Sequence, residues 1–212
     1  MQPFAKLGKS LNLPQTSVLS LQAPLRVPLL DEDAFMWYPS FDNLGERAQP
    51  LLATSLGLEL LTSIVERCTV VASPDPTLAV ELVCKVLDHL TGPCKWPATS
   101  IHLFGFAQGG SIAAHAALEY AQPLASVISI SGPLLSYQTG ARDKRTSPPS
   151  ILLVRRMGEE RSVQVNNFRR AFEDVKEVVL RTGQGMPRER SEWEDIMRCA
   201  AASTLRSAPE AI

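Results

Sequence analysis

Apolar positions along this chain fall into short runs and helix-spaced stripes that alternate. Ser17-Val18-Leu19-Ser20-Leu21 reads as a short strand, stopped by Ala23-Pro24. Residues 24–50 are rich in proline and aromatics, show no period, and read as a long ordered loop. Leu52, Leu56, Leu60 and Ile64 recur every four residues, with Leu61, Val65 and Cys68 alongside, which predicts a helix with a broad apolar face. Ser73-Pro74-Asp75-Pro76 breaks that helix. Asp75 can cap a second one with Pro76 at its first position. Its buried face is expected at Leu78, Leu82, Val86 and Leu90, and Thr91-Gly92-Pro93 ends it.

Ile101-His102-Leu103-Phe104-Gly105 is the clearest strand signal. Gly109-Gly110 follows, then an alanine-rich helix to about Tyr120. Val127 to Ile130 is a further strand, ended by Ser131-Gly132-Pro133. The polar stretch Gly140 to Ser150 is a loop, and Ile151 to Val154 is a fully apolar strand. Ser162 starts a helix carrying Val165, Phe168 and Phe172. Val178 to Leu180 is the last strand. Glu189 to about Leu205 is the last helix, with Trp193, Ile196, Met197 and Ala200 inward. Buried apolar strands alternating with amphipathic helices predict an α/β domain with a mainly parallel sheet. Ligand sites in such folds lie at the C-terminal ends of the strands.

Composition narrows the function classes. With 212 residues the chain is long enough for one sizeable core. Its 21 Lys and Arg balance 22 Asp and Glu, which argues against nucleic acid as the main partner. No apolar run reaches membrane-span length, and Met1 to Lys9 lacks the apolar core of a secretory signal. Cys68, Cys84, Cys94 and Cys199 show neither disulfide-framework nor zinc spacing. No metal or cofactor is indicated, and a cytoplasmic location is the expectation.

One segment carries a chemical outline. Gly105-Phe106-Ala107-Gln108-Gly109-Gly110 follows a strand and opens a helix, the context of the nucleophile elbow G-x-S-x-G. The glycines are required because the turn is so tight. The apex residue is held in a strained conformation over the sheet, and here it is Ala107, whose methyl cannot attack a carbonyl.

These residues resemble the phospholipase/carboxylesterase and acyl-protein thioesterase family of α/β-hydrolases, whose elbow reads G-F-S-Q-G-G. Gln22-Ala23-Pro24 with Trp37 to Asp42 (WYPSFD) is similar to that family's Q-A-P strand end and W-F-D loop. Gly183-Gln184-Gly185-Met186-Pro187 is similar to its G-H-x-M/I segment. The resemblance implies an α/β-hydrolase fold over roughly residues 4–205, without the N-terminal strand. It also marks the departures. Ala107 stands at the nucleophile, and Gln184 stands at the histidine, where it cannot act as a base near neutral pH. The acid loop after Val154 reads Arg155-Arg156-Met157-Gly158-Glu159-Glu160, with Glu159 or Glu160 as weak substitutes for an aspartate. The H-G-x-G-D segment that donates half of the oxyanion hole is absent, leaving the backbone N–H of Gln108.

The absent strand would sit between those predicted at 17–21 and 101–105. Either these two pair directly, or Met1 is an internal methionine of a longer protein. Buried unpaired backbone groups cost about 1–3 kcal/mol each, so a gap is disfavoured. A single domain over residues 1–212, short of its first strand, is the expected organisation, and an open edge makes a homodimer a reasonable expectation.

Other reactive side chains have plainer readings. His102 in a strand and His115 in a helix read as core or boundary histidines, and His89 complements a helix C-terminus. Ser111, one turn beyond the apex, points away from the site. Cys94 reads as an ordinary thiol despite Lys95 beside it. Arg142, Lys144 and Arg145 read as a solvated loop. Ser129 and Ser131 flank a strand end, and Ser131 can line a pocket. The leading expectation is an inactive family member that serves as a regulatory module or binds an acyl or ester group among Phe106, Ala107, Gln108, Gly109, Ser131 and Gln184. Two rivals stand beside it: a hydrolase with a different nucleophile or a longer N-terminus, and a scaffold that only binds partners.

Overall fold

A computed structural model describes residues 2–10, 16–27, 33–39, 75–135, 148–157, 162–181 and 185–204. The chain divides into two compact units, Met1–Trp37 and Tyr38–Ile212. The first contains helix α1 (Gln2–Ser10) and a small antiparallel pair, β1 (Leu25–Arg26) and β2 (Phe35–Met36). Two features differ from the sequence reading. Residues 17–21 form no strand, and Val18 and Leu19 are exposed. Val18 packs on Gly8 of α1, where a Cβ would lie 2.6 Å from its Cγ1. The segment read as unbroken loop holds the β1–β2 pair, closed by Val27 N–H to Ala34 O at 2.9 Å and by an Arg26–Asp33 ion pair.

The second unit carries α2 (Thr77–Thr91), β3 (His102–Phe106), α3 (Gln108–Glu119), β4 (Ser126–Ile130), β5 (Ser150–Arg156), α4 (Ser162–Ala171), β6 (Val175–Leu180) and α5 (Arg190–Thr204). Among the described residues the four strands form one parallel sheet in the order β3-β4-β5-β6. The predicted alternation of strand and helix is therefore found, with strand ends shifted by a few residues. The helix predicted over 52–68 lies outside the described residues, as does most of the 140–150 loop.

Asp75 caps α2 as its sequence position suggested, its Oδ1 accepting the Thr77 N–H at 2.9 Å. The buried face of α2 is not the predicted one. Ala79, Val80, Val83 and Leu87 are buried, Leu82 is exposed, and Leu78 is 73 % exposed. The reason is the partner. α2 packs on α3, whose alanine-rich surface lets the small side chains of α2 come close, so the leucine stripe turns outward.

The period of two in the strands separates the two faces. Ile128, Ile130, Leu152, Val154 and Leu180 form one core cluster with Ile196 of α5. Ser129 faces the other way, onto Gly110 of α3. The sheet is thus covered by α3 on one face and α5 on the other. All five β4 residues are buried, as a central parallel strand requires.

Candidate functional site

β3 ends at Phe106, and the chain reverses through Ala107 into α3. Ala107 has φ 49° and ψ −121°, a region that L-residues rarely occupy. Hydrogen bonds hold it there. Its N–H donates to Ile130 O at 2.8 Å, and its carbonyl accepts from Gly110 N at 2.9 Å and Ser111 N at 3.2 Å. Three glycines make the reversal possible. A Cβ at Gly105 would lie 2.1 Å from Gly109 O, and one at Gly110 would lie 2.6 Å from Ser129 Oγ. A Cβ at Gly132 would lie 2.7 Å from both Ala107 O and Ser111 N.

Two further segments meet this turn. Gln108 donates from Nε2 to the carbonyl of Tyr38 at 3.0 Å, which ties the helix start to Tyr38. Ser131, with φ 51°, ends β4 beside the turn and donates its N–H to Val154 O at 2.8 Å. On the side facing α5, Phe106 packs with Val178, Met186 and Trp193 against the core cluster. Gly185 approaches Phe106 closely enough that a Cβ would lie 3.8 Å from its Cζ.

The turn therefore has the geometry of a nucleophile elbow with a methyl group at its apex. The family model for phospholipase/carboxylesterase proteins matches residues 78–203, more than half of the chain. The chain belongs to that family. It is 34% identical over 205 residues to a protein of Mycosarcoma maydis named as an uncharacterized hydrolase, a match covering 92% of this chain and 68% of that protein. Its fold is similar to that of esterase PE8, with a TM-score of 0.55 at 14% identity over 85% of this chain and 75% of the other. It is also similar to a variant of Arabidopsis thaliana SOBER1, with a TM-score of 0.50 at 17% identity. That match covers 60% of this chain and just under two thirds, 63%, of the plant protein. The phospholipase/carboxylesterase fold is thus present with its elbow intact in shape.

Phe106, Ala107, Gln108 and Gly109 sit together at the turn, all partly buried, with Ser131 and Gly132 adjoining. Gln184, Glu159 and Glu160 lie outside the described residues. Their neighbours Gly185 and Met186 reach the Phe106 side of the elbow.

The polar groups beneath the turn are set up for packing. Ser111 is fully buried. Burial raises the Tyr38 phenol above its usual range, and the Ser111 hydroxyl beside it offsets part of that rise. His115, one turn further along α3, is 1 % exposed and accepts the Leu135 N–H at Nε2. Burial pushes its pKa down to about 4, so it is neutral at physiological pH. His102 lies at the start of β3, exposed overall, with its Nδ1 2.8 Å from Ser126 Oγ, and partial burial of its ring lowers its pKa as well.

Sequence reasoning missed two residues. Arg156 and Glu192 form a buried ion pair next to the Gly185–Met186 backbone. The available signals were an arginine pair at a strand end and an acidic residue in the first turn of a helix. Neither signal names the other residue, because they are far apart in sequence. Among the described residues, no group of three or more potential ligands is placed to hold a metal ion, and no helix is long and apolar enough to cross a membrane.

Proposed function

We propose that this chain is a family member that no longer hydrolyses esters through its elbow and instead binds an acyl or ester group there. The observation that carries this reading is Ala107 itself. A non-glycine residue is kept at φ 49° although no nucleophile is delivered by it. Such a conformation is unfavourable by about 1–3 kcal/mol and persists only where its surroundings impose it.

The residues at the apex and at position 184 support a reading without ordinary turnover. Attack on a carbonyl needs a hydroxyl or thiol with a base within reach. The apex has a methyl group, and position 184 has an amide. A site stripped of triad members keeps roughly 10³–10⁴-fold acceleration over water at best. Binding does not need these groups. Phe106, Met186 and Trp193 supply apolar surface on one side.

The test has two parts. Turnover of p-nitrophenyl acetate and an acyl thioester is compared with buffer, and binding of dansyl-undecanoate is followed by its fluorescence. Binding in the micromolar range without turnover is the expected result. Turnover well above buffer that survives changes at Ala107 would overturn it and mean a different nucleophile. Neither binding nor turnover would leave the scaffold reading.

A further inference from the structure

Arg156 closes β5 with its side chain buried, and all three of its nitrogens are used on one side. Nη1 donates to the Glu192 carboxylate, Nε to Gly185 O at 3.2 Å, and Nη2 to Met186 O at 3.3 Å. The second Glu192 oxygen accepts the backbone N–H groups of Arg188 at 2.9 Å and Glu189 at 3.3 Å. Glu192 therefore caps the start of α5 and holds Arg156 at the same time. The two residues link the end of β5, the loop after β6 and the start of α5.

That loop is the one that reaches the elbow. Gly185 has φ 72° and lies against Phe106, and Met186 packs with Phe106 and Trp193 on the core cluster. Two consecutive carbonyls and a carboxylate bound by one planar fork leave the loop little freedom to shift. Lysine cannot reproduce this, having a single nitrogen and no fork.

We infer that Arg156 is a positioning residue of the elbow site: with Glu192 it fixes Gly185 and Met186 beside Phe106, and so sets how tightly an acyl or ester group is held. The inference rests on the binding reading above for its second half and on geometry alone for its first.

The experiment uses the full chain, with Arg156→Met, Arg156→Lys and Glu192→Gln. Circular dichroism establishes that each is folded, and cleavage after Lys85 in α2 is followed alongside, because global opening raises both cleavages whereas release of the loop raises only the one after Arg188. The first readout is native-state trypsin cleavage after Arg188, whose residue is exposed while its N–H is held by Glu192. Loss of charge-assisted hydrogen bonds from the loop should raise its cleavage at least about tenfold. The second is the Kd for dansyl-undecanoate, which should weaken by about the same factor in Arg156→Met and by less in Arg156→Lys. Unchanged cleavage in the folded variants overturns the clamp. Faster cleavage with an unchanged Kd overturns its role in the site. If the unaltered chain does not bind the probe, the binding reading falls with the second half of the inference, while cleavage still decides the first half.

Discussion

Gly132 lies so close to Ala107 that a Cβ on it would come within 2.7 Å of the Ala107 carbonyl oxygen. The end of β4 and the apex of the elbow are thus packed backbone against backbone. Gly132→Ala should destabilise by roughly 1–3 kcal/mol. Gly105→Ala should be worse, because its Cβ would meet the Gly109 carbonyl at 2.1 Å and both are backbone-fixed. Urea denaturation measures both, and wild-type midpoints would contradict the packing.

The positive φ of Ala107 gives a second prediction. Ala107→Gly relieves the conformational strain, at the expense of a more flexible unfolded chain, and should stabilise by about 1 kcal/mol. Ala107→Ser should fold normally and still show no esterase activity, since no base is positioned to activate it among the described residues and position 184 is a glutamine. Turnover by Ala107→Ser alone would reveal a base that these residues do not suggest.

His115 makes stability depend on pH. Its folded pKa, about 4, lies below the usual 6.5, so the unfolded chain takes up the proton first. The neutral form is required because Nε2 accepts the Leu135 N–H. Its contribution is present above pH 6.5 and is lost as pH falls toward 4, a decline of roughly 3 kcal/mol. His102, lowered by burial, adds in the same direction. Thermal melts from pH 7.5 to 4 should show this fall, and His115→Gln should flatten it.

Glu119 acts with the opposite sign. Its Oε1 is buried and has no hydrogen-bond partner among the described residues, and burial, then the charge of Glu81, raises its pKa. Ionisation therefore weakens the fold as pH rises through and above the usual carboxylate range. Glu119→Gln should raise the melting midpoint at pH 7 and change little near pH 4. An equal shift at both pH values would mean that charge is not the cause.

The thiols should differ in reactivity. Burial, followed by the charges of Glu119, Asp88 and Glu81, pushes Cys84 up to about 11, whereas Cys94 is exposed. Iodoacetamide at pH 8 followed by peptide mapping should label Cys94 and spare Cys84 until the chain is unfolded.

Several features were legible in the sequence because they are local. The turn at Ala107 is written locally as a strand end, closely spaced glycines and a helix start within Gly105 to Gly110, although it also needs the distant Gly132. The Asp75 cap is likewise set by residues two apart. β4 and β5 could be read because strands buried on both faces carry continuous apolar runs, while the outer strands β3 and β6 are only partly buried and β6 shows an apolar run only from Val178. The strand expected at 17–21 fails for the complementary reason. A strand is made by its neighbour, and Val18 packs on Gly8 of α1 instead of pairing in a sheet.

By itself, then, the sequence determined the order of strands and helices in the second unit, the elbow's shape and the loss of its hydroxyl. Backbone sterics and hydrogen-bond geometry over a few residues leave little choice there. Only the tertiary structure decided which face of α2 is buried, which carbonyl Gln108 reaches, and that Arg156 meets Glu192 across 36 positions. Such contacts depend on which distant segments pack together, and no local pattern of polar and apolar residues specifies that.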